Sequence, residues 1–505
     1  AFSTPINETI VGASDDWPYP QLFKGQATTL LCEDQAISTV NETTGVTTAL
    51  PVYKVASTMA PTTESVTNGD FSAGTGWTIG SGWSVSGGLL LGSSATTDMS
   101  QANGSQAVAI TAGKLYRVTY TIASYTSGTV KVKLGTAEGT TRSAAGTYTE
   151  DIICAGASAA IALDGVTAFT GTIDNLSVKE IETATIPAGG GAWHFAEFRG
   201  VWFLFKDGCM LAKVPYYSDF RLVSITTSDN DFTCTTGTNS GSRLFLGGMT
   251  AATLLASDDW AEAWSAWLQN SSQYSGEMTY EDMVLSTNVV MYSTPIGGDV
   301  YWPFAAEMAM LGSPAIDTVD NRALFKANYV DWIRKGEIGF VPLSHQGAIV
   351  NLKALGRGVV AYCEDGVSYL SPRGEAGYQV DVIHNSGIAS RSAVAGDIHG
   401  HTFLDTHGIA WAVGPDGSLR RATGRGLFST MITNRASNPI ICTHDPEEQE
   451  YYICSDQQGF TLTRTGVGQV TNLPVSLIVT QAGLVGVTKD LATPAIDIET
   501  ETFDM

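Results

Sequence analysis

The sequence lacks the motifs and segments that would assign it at once to a common functional class. No basic segment followed by an apolar one opens the chain, and no uninterrupted apolar run approaches the roughly 20 residues that a bilayer span requires. Gly-x-Ser-x-Gly is absent, and so is the phosphate-binding Gly-x-x-x-x-Gly-Lys pattern. We therefore expect no membrane-spanning segment, no enzyme activity, and no catalytic or cofactor-binding residue.

Positive charge is scarce. The chain has 27 Lys and Arg residues against 50 Asp and Glu residues, which gives a formal net charge of -23 at pH 7. Such a surface repels phosphates at long range and argues against a nucleic-acid reader held by counterion release. It remains compatible with a duct through which DNA passes without sticking, and equally with a charge that only keeps a large protein soluble.

Paired cysteines are also missing. The 7 cysteines are odd in number and include no Cys-x-x-Cys pair, so they indicate neither a disulfide framework nor a zinc knuckle. Cys209, Cys363 and Cys454 lie inside apolar runs, where a thiol serves as a small buried hydrophobic group. We therefore expect folding in a reducing cytoplasm.

Four segments share one pattern, in which an apolar run is followed by a turn and then by a shorter alternating run. They are Val201–Val214, Gly358–Pro372, Gly408–Gly424 and Glu450–Arg464. The first three contain Asp-Gly in the turn, a strong hairpin signal because such turns need the positive φ that glycine adopts without strain. Gly366, Gly417 and Gly459 lie roughly 40 to 50 residues apart, which is the blade spacing of a β-propeller. We predict a mainly β fold built on a β-propeller.

Residues 64–182 differ in composition from their surroundings, being poor in charge and rich in Gly, Ser, Thr and Ala. Lys131 and Lys133 alternate with apolar residues, so one strand face is wet and the other is packed. We interpret this segment as a β-sandwich of the jelly-roll type, inserted into a propeller loop because the two ends of a jelly roll lie close together. The predicted domains are the start of the propeller at 1–63, the insert at 64–182, and the rest of the propeller at 183–505.

Two isolated helices are predicted within the propeller domain, near residues 257–269 and 317–335. The first has a Trp stripe at helical spacing, which is typical of a packed face. The second has an acidic first turn and ends at Gly336, and we expect it to be a strut between blades or a subunit contact. At the end of the chain, the alternating strand Ala495–Asp504 either pairs with the N-terminal strands or precedes further sequence.

Three parts of the insert carry a family resemblance: Asn68–Phe71 with Trp77 and Trp83, Ala112–Tyr116, and Gly171–Val178. Together they resemble jelly-roll carbohydrate-binding modules. Such modules often hold a structural calcium ion near the first and last strands, which implies Asp70 and Asp174 as candidate ligands; local capping hydrogen bonds are the alternative. Trp77, Trp83 and Tyr125 are candidates for stacking on sugar rings of a glycan, and core packing is the alternative for each.

The densest cluster of metal-ligand residue types is Asp397, His399, His401, Asp405 and His407. On one strand, the first three would project from one face, a geometry that could bind zinc. The spacing does not match the metallo-β-lactamase signature, so we prefer the alternative of an ordinary strand and turn.

Several segments of the propeller half are more specific than its hairpins. They are Gly339–Leu343, Leu355–Gly356, Val359–Tyr362, Glu364–Gly366, Gly387–Asp397 and Phe403–Asp405. Together they resemble the tail nozzle, or tail tubular hub, proteins of short-tailed bacteriophages. The resemblance covers mainly residues 337–431, with weaker agreement at 193–217. In that family the propeller is part of a hexameric tube below the portal and adaptor that carries DNA out of the capsid.

The resemblance implies a structural virion protein of the phage tail, assembled in the host cytoplasm as a homohexamer. Its partners would be the adaptor or portal, tail fibre or spike proteins, and double-stranded DNA that passes without sequence-specific binding. The insert departs from the simplest family members, and host surface glycans are its candidate partners. The alternatives are a surface lectin or adhesin that binds glycans through residues 64–182, and a glycosidase that uses the propeller face.

Overall fold

The computed structural model of the chain describes residues 21–501 apart from 25–27, 43, 45, 55–60, 158, 190, 199, 214–219, 225–233, 250–286, 294–338, 374–376, 424–425, 436–439, 456–457, 465, 471–472, 481–482 and 490–495. The described residues are mainly β, as predicted. They form two compact units, one of residues 53–183 and one of the residues on either side. The two predicted helices lie outside the described residues.

The strands are short, and neighbouring strands with a described register are antiparallel. Before residue 55 they are β1 Gln21–Lys24, β2 Thr29–Cys32, β3 Ile37–Val40, β4 Thr47–Ala49 and β5 Val52–Lys54. Within the second unit they are β6 Trp83–Ser86, β7 Leu89–Ala95, β8 Asp98–Gln101, β9 Leu115–Ser127, β10 Val130–Leu134, β11 Ala137–Glu138, β12 Gly146–Ile153, β13 Ile161–Gly165 and β14 Phe169–Glu180.

The remaining strands follow residue 183. They are β15 His194–Phe198, β16 Val201–Lys206, β17 Cys209–Lys213, β18 Leu222–Ser224, β19 Thr236–Ser240, β20 Arg243–Gly247, β21 Val289–Tyr292, β22 Gly339–Pro342, β23 Ile349–Leu355, β24 Gly358–Cys363, β25 Val367–Pro372, β26 Tyr378–His384, β27 Val394–Asp397, β28 Gly400–Leu404, β29 Ala410–Val413, β30 Leu419–Arg421, β31 Ile441–Asp445, β32 Glu450–Cys454, β33 Gly459–Leu462, β34 Val467–Val470, β35 Leu473–Thr480, β36 Gly483–Lys489 and β37 Ile496–Glu501. A short helix, α1, spans Ser429–Thr433, and a single 3₁₀ turn spans Asn103–Ser105.

The first unit contains seven sheets within the described residues. Sheet 1 is β1 to β4, sheet 2 is β15 to β18 with β5 at its edge, sheet 3 is β19 to β22, sheet 4 is β23 to β26, sheet 5 is β27 to β30, sheet 6 is β31 to β34, and sheet 7 is β35 to β37. In every sheet the strands follow chain order, apart from the added β5. Each sheet is therefore a small meander of the kind that forms one propeller blade.

Successive sheets contact one another through their first strands: β15 contacts β19, β19 contacts β23, β23 contacts β27, β27 contacts β31, and β31 contacts β35. Strand β35 in turn contacts β1, and the Leu22 N–H donates to Ser476 Oγ at 2.9 Å. Sheets 1 and 2 share an apolar core that includes Leu30 and Leu204. The order of contacts therefore returns to its start, as it does around the axis of a β-propeller. The last strand, β37, pairs with β36.

The four predicted hairpins are present. They are β16 with β17, β24 with β25, β29 with β30, and β32 with β33. Strands β16 and β24 are buried along their whole length, because neighbouring blades cover both faces, and this burial explains their continuous apolar sequences.

The turn glycines do not all serve the purpose that the sequence suggests. Gly417 has a φ of 80°, as an Asp-Gly hairpin turn predicts. Gly366 is not among the glycines with positive φ. A Cβ at Gly366 would instead lie 2.1 Å from Gln346 Oε1. The constraint at Gly366 is therefore the nearby end of the Gln346 side chain, which can shift, rather than the backbone conformation.

The second unit is an antiparallel β-sandwich. One sheet has the order β11, β10, β13, β8, and the other has the order β12, β9, β14, β7, β6. The two inner faces share one apolar core that contains Phe71, Tyr120 and Phe169. Strand β10 alternates as predicted, with its apolar residues buried and Lys131 and Lys133 half-buried. The insert was predicted at residues 64–182, and the second unit comprises residues 53–183.

Candidate functional site

A cavity of about 440 Å³ lies where the first strands of the seven ring sheets meet. Its walls are formed by β1, β15, β19, β23, β27, β31 and β35 and by positions next to them. Because the first strand of every sheet contributes, the cavity lies on the axis of the ring. Its volume falls within the range of about 300–1,000 Å³ that is typical of small-molecule sites.

Lys353, on β23, is a cation in the wall of this cavity. Burial lowers the pKa of Lys353, while the nearby Cys442 thiol and Asp397 carboxylate act in the opposite direction. In the part of the chain that the structure describes, the Lys353 ammonium makes no hydrogen bond or ion pair. The Lys353 ammonium is therefore a hydrogen-bond donor that lines the cavity and has no protein partner among the described residues.

Two histidines on other first strands also line the cavity. His194 begins β15, and His444 lies on β31. The Nε2 atoms of both are buried and have no hydrogen-bond partner among the described residues. Burial, with the positive charges of Arg391 and Lys353, holds the pKa of His194 well below its usual range. Burial also lowers the pKa of His444, so both imidazoles are neutral at neutral pH.

The cavity thiol is not a reactive group. Burial raises the pKa of Cys442 far above its usual value, with the neighbouring Cys454 acting in the same direction. Since the thiolate is the nucleophilic form, Cys442 is unreactive at neutral pH. The cavity wall therefore offers the Lys353 ammonium and two neutral imidazoles, and the chemistry that these groups support is binding.

The histidine-rich cluster predicted from sequence does not form one site. Asp397 ends β27, His399 lies in the turn, and His401 lies on β28, so the three residues do not share one strand, and the strand and turn that we preferred is present. His401 is buried between Tyr362 Oη at 2.9 Å and the Ala354 carbonyl at 3.0 Å, and burial lowers its pKa to about 3. No group of three metal-ligating side chains occurs among the residues that the structure covers.

Asp405, another member of that cluster, connects sheet 4 to sheet 5. It is 1% exposed and lies in the turn between β28 and β29. Its Oδ1 accepts the N–H groups of His407 and Ile409, both at 2.9 Å. Its Oδ2 accepts the indole N–H of Trp411 at 2.8 Å and lies 3.3 Å from Nε2 of His384 on β26. The carboxylate is therefore a structural hydrogen-bond acceptor.

Arg391 connects sheets that are not adjacent in the ring. It lies in the connection from sheet 4 to sheet 5, and its guanidinium donates to Asp207 Oδ1 at 2.8 Å in the turn between β16 and β17 of sheet 2. Its main-chain carbonyl accepts a hydrogen bond from the Asn351 side chain at 3.0 Å. The Gly387–Asp397 segment thus contributes one contact that spans the ring.

In the sandwich, the two candidate glycan-stacking tryptophans belong to the core. Trp77 and Trp83 are 8% and 6% exposed, and their indole N–H groups donate to the main-chain carbonyls of Asn68 and Thr97. Trp83 also stacks on Phe169 with ring centroids 5.7 Å apart. Their faces are covered, so the core-packing alternative is correct for both.

Tyr125 is half-buried. Its hydroxyl donates to the Gly128 carbonyl at 3.0 Å, and its ring contacts Phe169 in a tilted arrangement with centroids 6.5 Å apart. Of the three candidate glycan-stacking residues, Tyr125 alone keeps part of its surface outside the core.

The candidate calcium ligands lie in adjoining loops. The Leu176 N–H donates to the Gly69 carbonyl at 2.8 Å, which brings the segments of Asp70 and Asp174 together. Asp70 Oδ1 accepts the Ser72 N–H and hydroxyl, and Asp174 Oδ1 accepts the Asn175 N–H at 2.7 Å. These are the local capping bonds named as the alternative, and a shared calcium ion stays a prediction.

Sequence reasoning missed the axial residues. Lys353, His194 and His444 come from three strands that are far apart in the chain, and each looks like an ordinary polar position beside apolar ones. The only local signal is a lysine in the apolar run Leu352–Leu355. Their convergence follows from the circular order of the sheets, which no local pattern encodes.

Comparison with protein-family models and with curated proteins finds no match for the chain. Among solved structures, it is similar to the extracellular domain of the hybrid two-component system BT4673 from B. thetaiotaomicron, with 9% identity, a TM-score of 0.30, and coverage of 60% of this chain and 32% of that chain. BBS1N in complex with ARL6DN gives 8% identity and a TM-score of 0.31, covering 64% of this chain and 83% of that one. BamB from Moraxella catarrhalis gives 9% identity and a TM-score of 0.28, with coverage of 64% of this chain and 89% of that chain. Similarity this low identifies neither a function nor a partner.

Proposed function

We propose that this protein is a structural component of a short-tailed phage virion, where it forms the nozzle or hub of the tail. In this role six copies form a ring-shaped conduit for DNA ejection. The conduit attaches to the adaptor or portal on one side and to tail fibre or spike proteins on the other. The chain is assembled in the host cytoplasm and has no enzymatic role.

The observation that carries this proposal is the way the nozzle-like segments meet in space. Gly387 lies so close to the turn Glu364–Gly366 that a Cβ would come within 1.7 Å of the Glu364 carbonyl oxygen, so two of these segments are in direct contact. A third, Phe403–Asp405, pairs with Ile388 through a bridge to Asp405. Segments that resemble one family at separate places in the chain therefore form one continuous blade junction.

The charge of the chain supports the same role. The formal net charge of -23 gives a surface that repels the DNA backbone. Double-stranded DNA can slide past such a surface because few phosphates are held by fixed cations. No helix among the described residues is long and apolar enough to cross a membrane.

The oligomeric state tests the proposal. Mass photometry of the purified full chain should show a particle with the mass of six copies, and cryo-EM class averages should show six-fold symmetry with a central channel. A protein that stays monomeric across concentrations, together with a virion of the encoding phage that lacks the chain, would overturn the proposal.

Host glycans are a secondary candidate partner, through the sandwich. Burial of Trp77 and Trp83 leaves Tyr125 as the candidate residue, which makes a lectin the weaker alternative. A glycan array probed with the full chain and with Tyr125→Ala discriminates, because a lectin would lose its signal in the variant.

A further inference from the structure

The axial cavity contains more hydrogen-bonding capacity than the protein itself uses. Lys353 projects an ammonium without a hydrogen bond or ion pair among the described residues, and the Nε2 atoms of His194 and His444 are buried without partners. Buried polar atoms in folded proteins nearly always have a partner, either in the protein or in a bound molecule. The cavity wall thus combines one ammonium without a protein partner with two histidines whose buried Nε2 atoms have none, and this combination points to an occupant.

The hydrogen bonds around His194 indicate which of its nitrogens carries the proton. The Leu352 N–H donates to Thr236 Oγ1 at 3.0 Å, which leaves the Thr236 hydroxyl hydrogen free to point at His194 Nδ1, 3.5 Å away. This arrangement favours the tautomer with the proton on Nε2. His194, a residue of the cavity wall, then carries an N–H donor without a partner among the described residues.

The one carboxylate in the cavity wall is already engaged. Asp397 Oδ1 accepts the His399 N–H at 2.8 Å, which closes the turn between β27 and β28. Asp397 interacts with Lys353 electrostatically but does not form an ion pair with it. The Lys24 ammonium, also in the wall, is paired with Glu42. The cation available to an occupant is therefore Lys353.

The wall of the cavity also has an apolar part. Phe23 of β1 and Phe195 of β15 both line it and are half-buried. Their rings are stacked with centroids 5.6 Å apart and an interplanar angle of 23°. A planar apolar group could extend this stack, while the Lys353 ammonium binds a charged end.

We propose that the axial cavity binds a small organic oxyanion, either a carboxylate or a phosphate ester, with its anionic group at Lys353 and its apolar body along Phe23 and Phe195. The cavity volume of about 440 Å³ has room for a body beyond the anionic group. This inference does not depend on the virion role, since the site lies within the ring of seven sheets of a single chain.

Isothermal titration of the full chain tests it with three probes of similar shape. Benzoate and phenyl phosphate carry the two kinds of anionic group, and benzamide is the neutral counterpart of benzoate. We expect at least one anion to bind, and to bind at least tenfold more tightly than benzamide. Whichever anion binds more tightly identifies the ligand class as carboxylate or phosphate ester.

Three variants locate the site. Lys353→Met should weaken binding of the anion at least tenfold, and Lys353→Arg, which keeps the charge, should restore most of the affinity. Lys213→Met is the matched control, because Lys213 is a half-buried ring lysine outside the cavity wall, and it should bind as the unmodified chain does. Urea midpoints of all three variants report whether they fold.

The outcomes are decisive in either direction. If neither anion binds, the cavity holds water and the proposal is wrong. It is equally wrong if benzamide binds as well as benzoate, or if a folded Lys353→Met variant keeps full affinity. If Lys353→Met fails to fold, the comparison of benzoate with benzamide and the affinity of Lys353→Arg still decide the case.

Discussion

Replacing Asp405 with alanine should destabilise the ring strongly. The carboxylate is the shared acceptor for two main-chain N–H groups, the Trp411 indole and the His384 imidazole. Alanine removes both oxygens and leaves these four donors without an acceptor in a turn where Asp405 is 1% exposed. Because β26 and the turn after β28 belong to different sheets, the substitution also removes a contact between two blades.

The magnitude follows from the number of donors. A buried donor left unpaired costs about 1–3 kcal/mol, and the lower value applies where water can enter the vacated space. Four donors at the lower value give a loss of about 4 kcal/mol in the free energy of unfolding. With an m-value near the top of the range, about 3 kcal/mol/M, this loss moves the urea midpoint down by about 1 M.

Urea unfolding followed by tryptophan fluorescence measures the effect, and hydrogen exchange of peptides that cover residues 384–413 shows where it occurs. Asp416→Ala is the matched control, since Asp416 is an exposed aspartate in the next turn of sheet 5 whose Oδ1 accepts the Ser418 N–H. Equal urea midpoints for the two variants would refute the structural role assigned to Asp405.

The same carboxylate gives a pH prediction. Burial by itself would raise the pKa of Asp405, but the hydrogen bonds from His384, Ile409, Trp411 and His407 together lower it. A depressed pKa contributes stability that is fully present above the unfolded value of about 3.9 and is lost as the pH falls through the folded value. The stability difference between the unmodified chain and Asp405→Ala should therefore narrow below about pH 4.

Two further predictions concern the sandwich. Trp83→Ala should destabilise the sandwich by about 3–5 kcal/mol, because the core loses the stack on Phe169. Trp83→Phe should retain most of the stability, and urea unfolding measures both variants. Unchanged stability of Trp83→Ala together with lost glycan binding would contradict the core role of Trp83. If Asp70 and Asp174 share a calcium ion, EDTA should lower the melting temperature of the sandwich, and Asp174→Ala should abolish this difference. Identical melting curves with calcium and with EDTA would show that no calcium ion stabilises the sandwich.

Local sequence patterns predicted local structure well. The Asp-Gly segments form hairpins because the geometry of a two-strand turn depends on a few adjacent residues. Strand β10 buries alternate residues because the side-chain period of a strand is fixed. The change in composition at residue 64 indicated a separate unit for a similar reason, since a two-sheet sandwich needs alternating rather than continuous apolar runs.

Sequence patterns did not predict features that depend on contacts between residues distant in the chain. Trp77 and Trp83 have the residue type of a sugar platform, but Phe71 packs on Trp77 and Phe169 of β14 packs on Trp83. Gly366 was assigned a positive φ, and the structure does not have one there.

The sequence by itself predicted the mainly β fold and the positions of its hairpin turns, because both depend on residues that are neighbours in the chain. The tertiary structure alone decided that seven sheets succeed one another in a circle and that sheet 7 adjoins sheet 1. It also decided which polar groups face the axis. A ring brings together the first strand of every blade, so Lys353, His194 and His444 become neighbours only after the chain has gone around it.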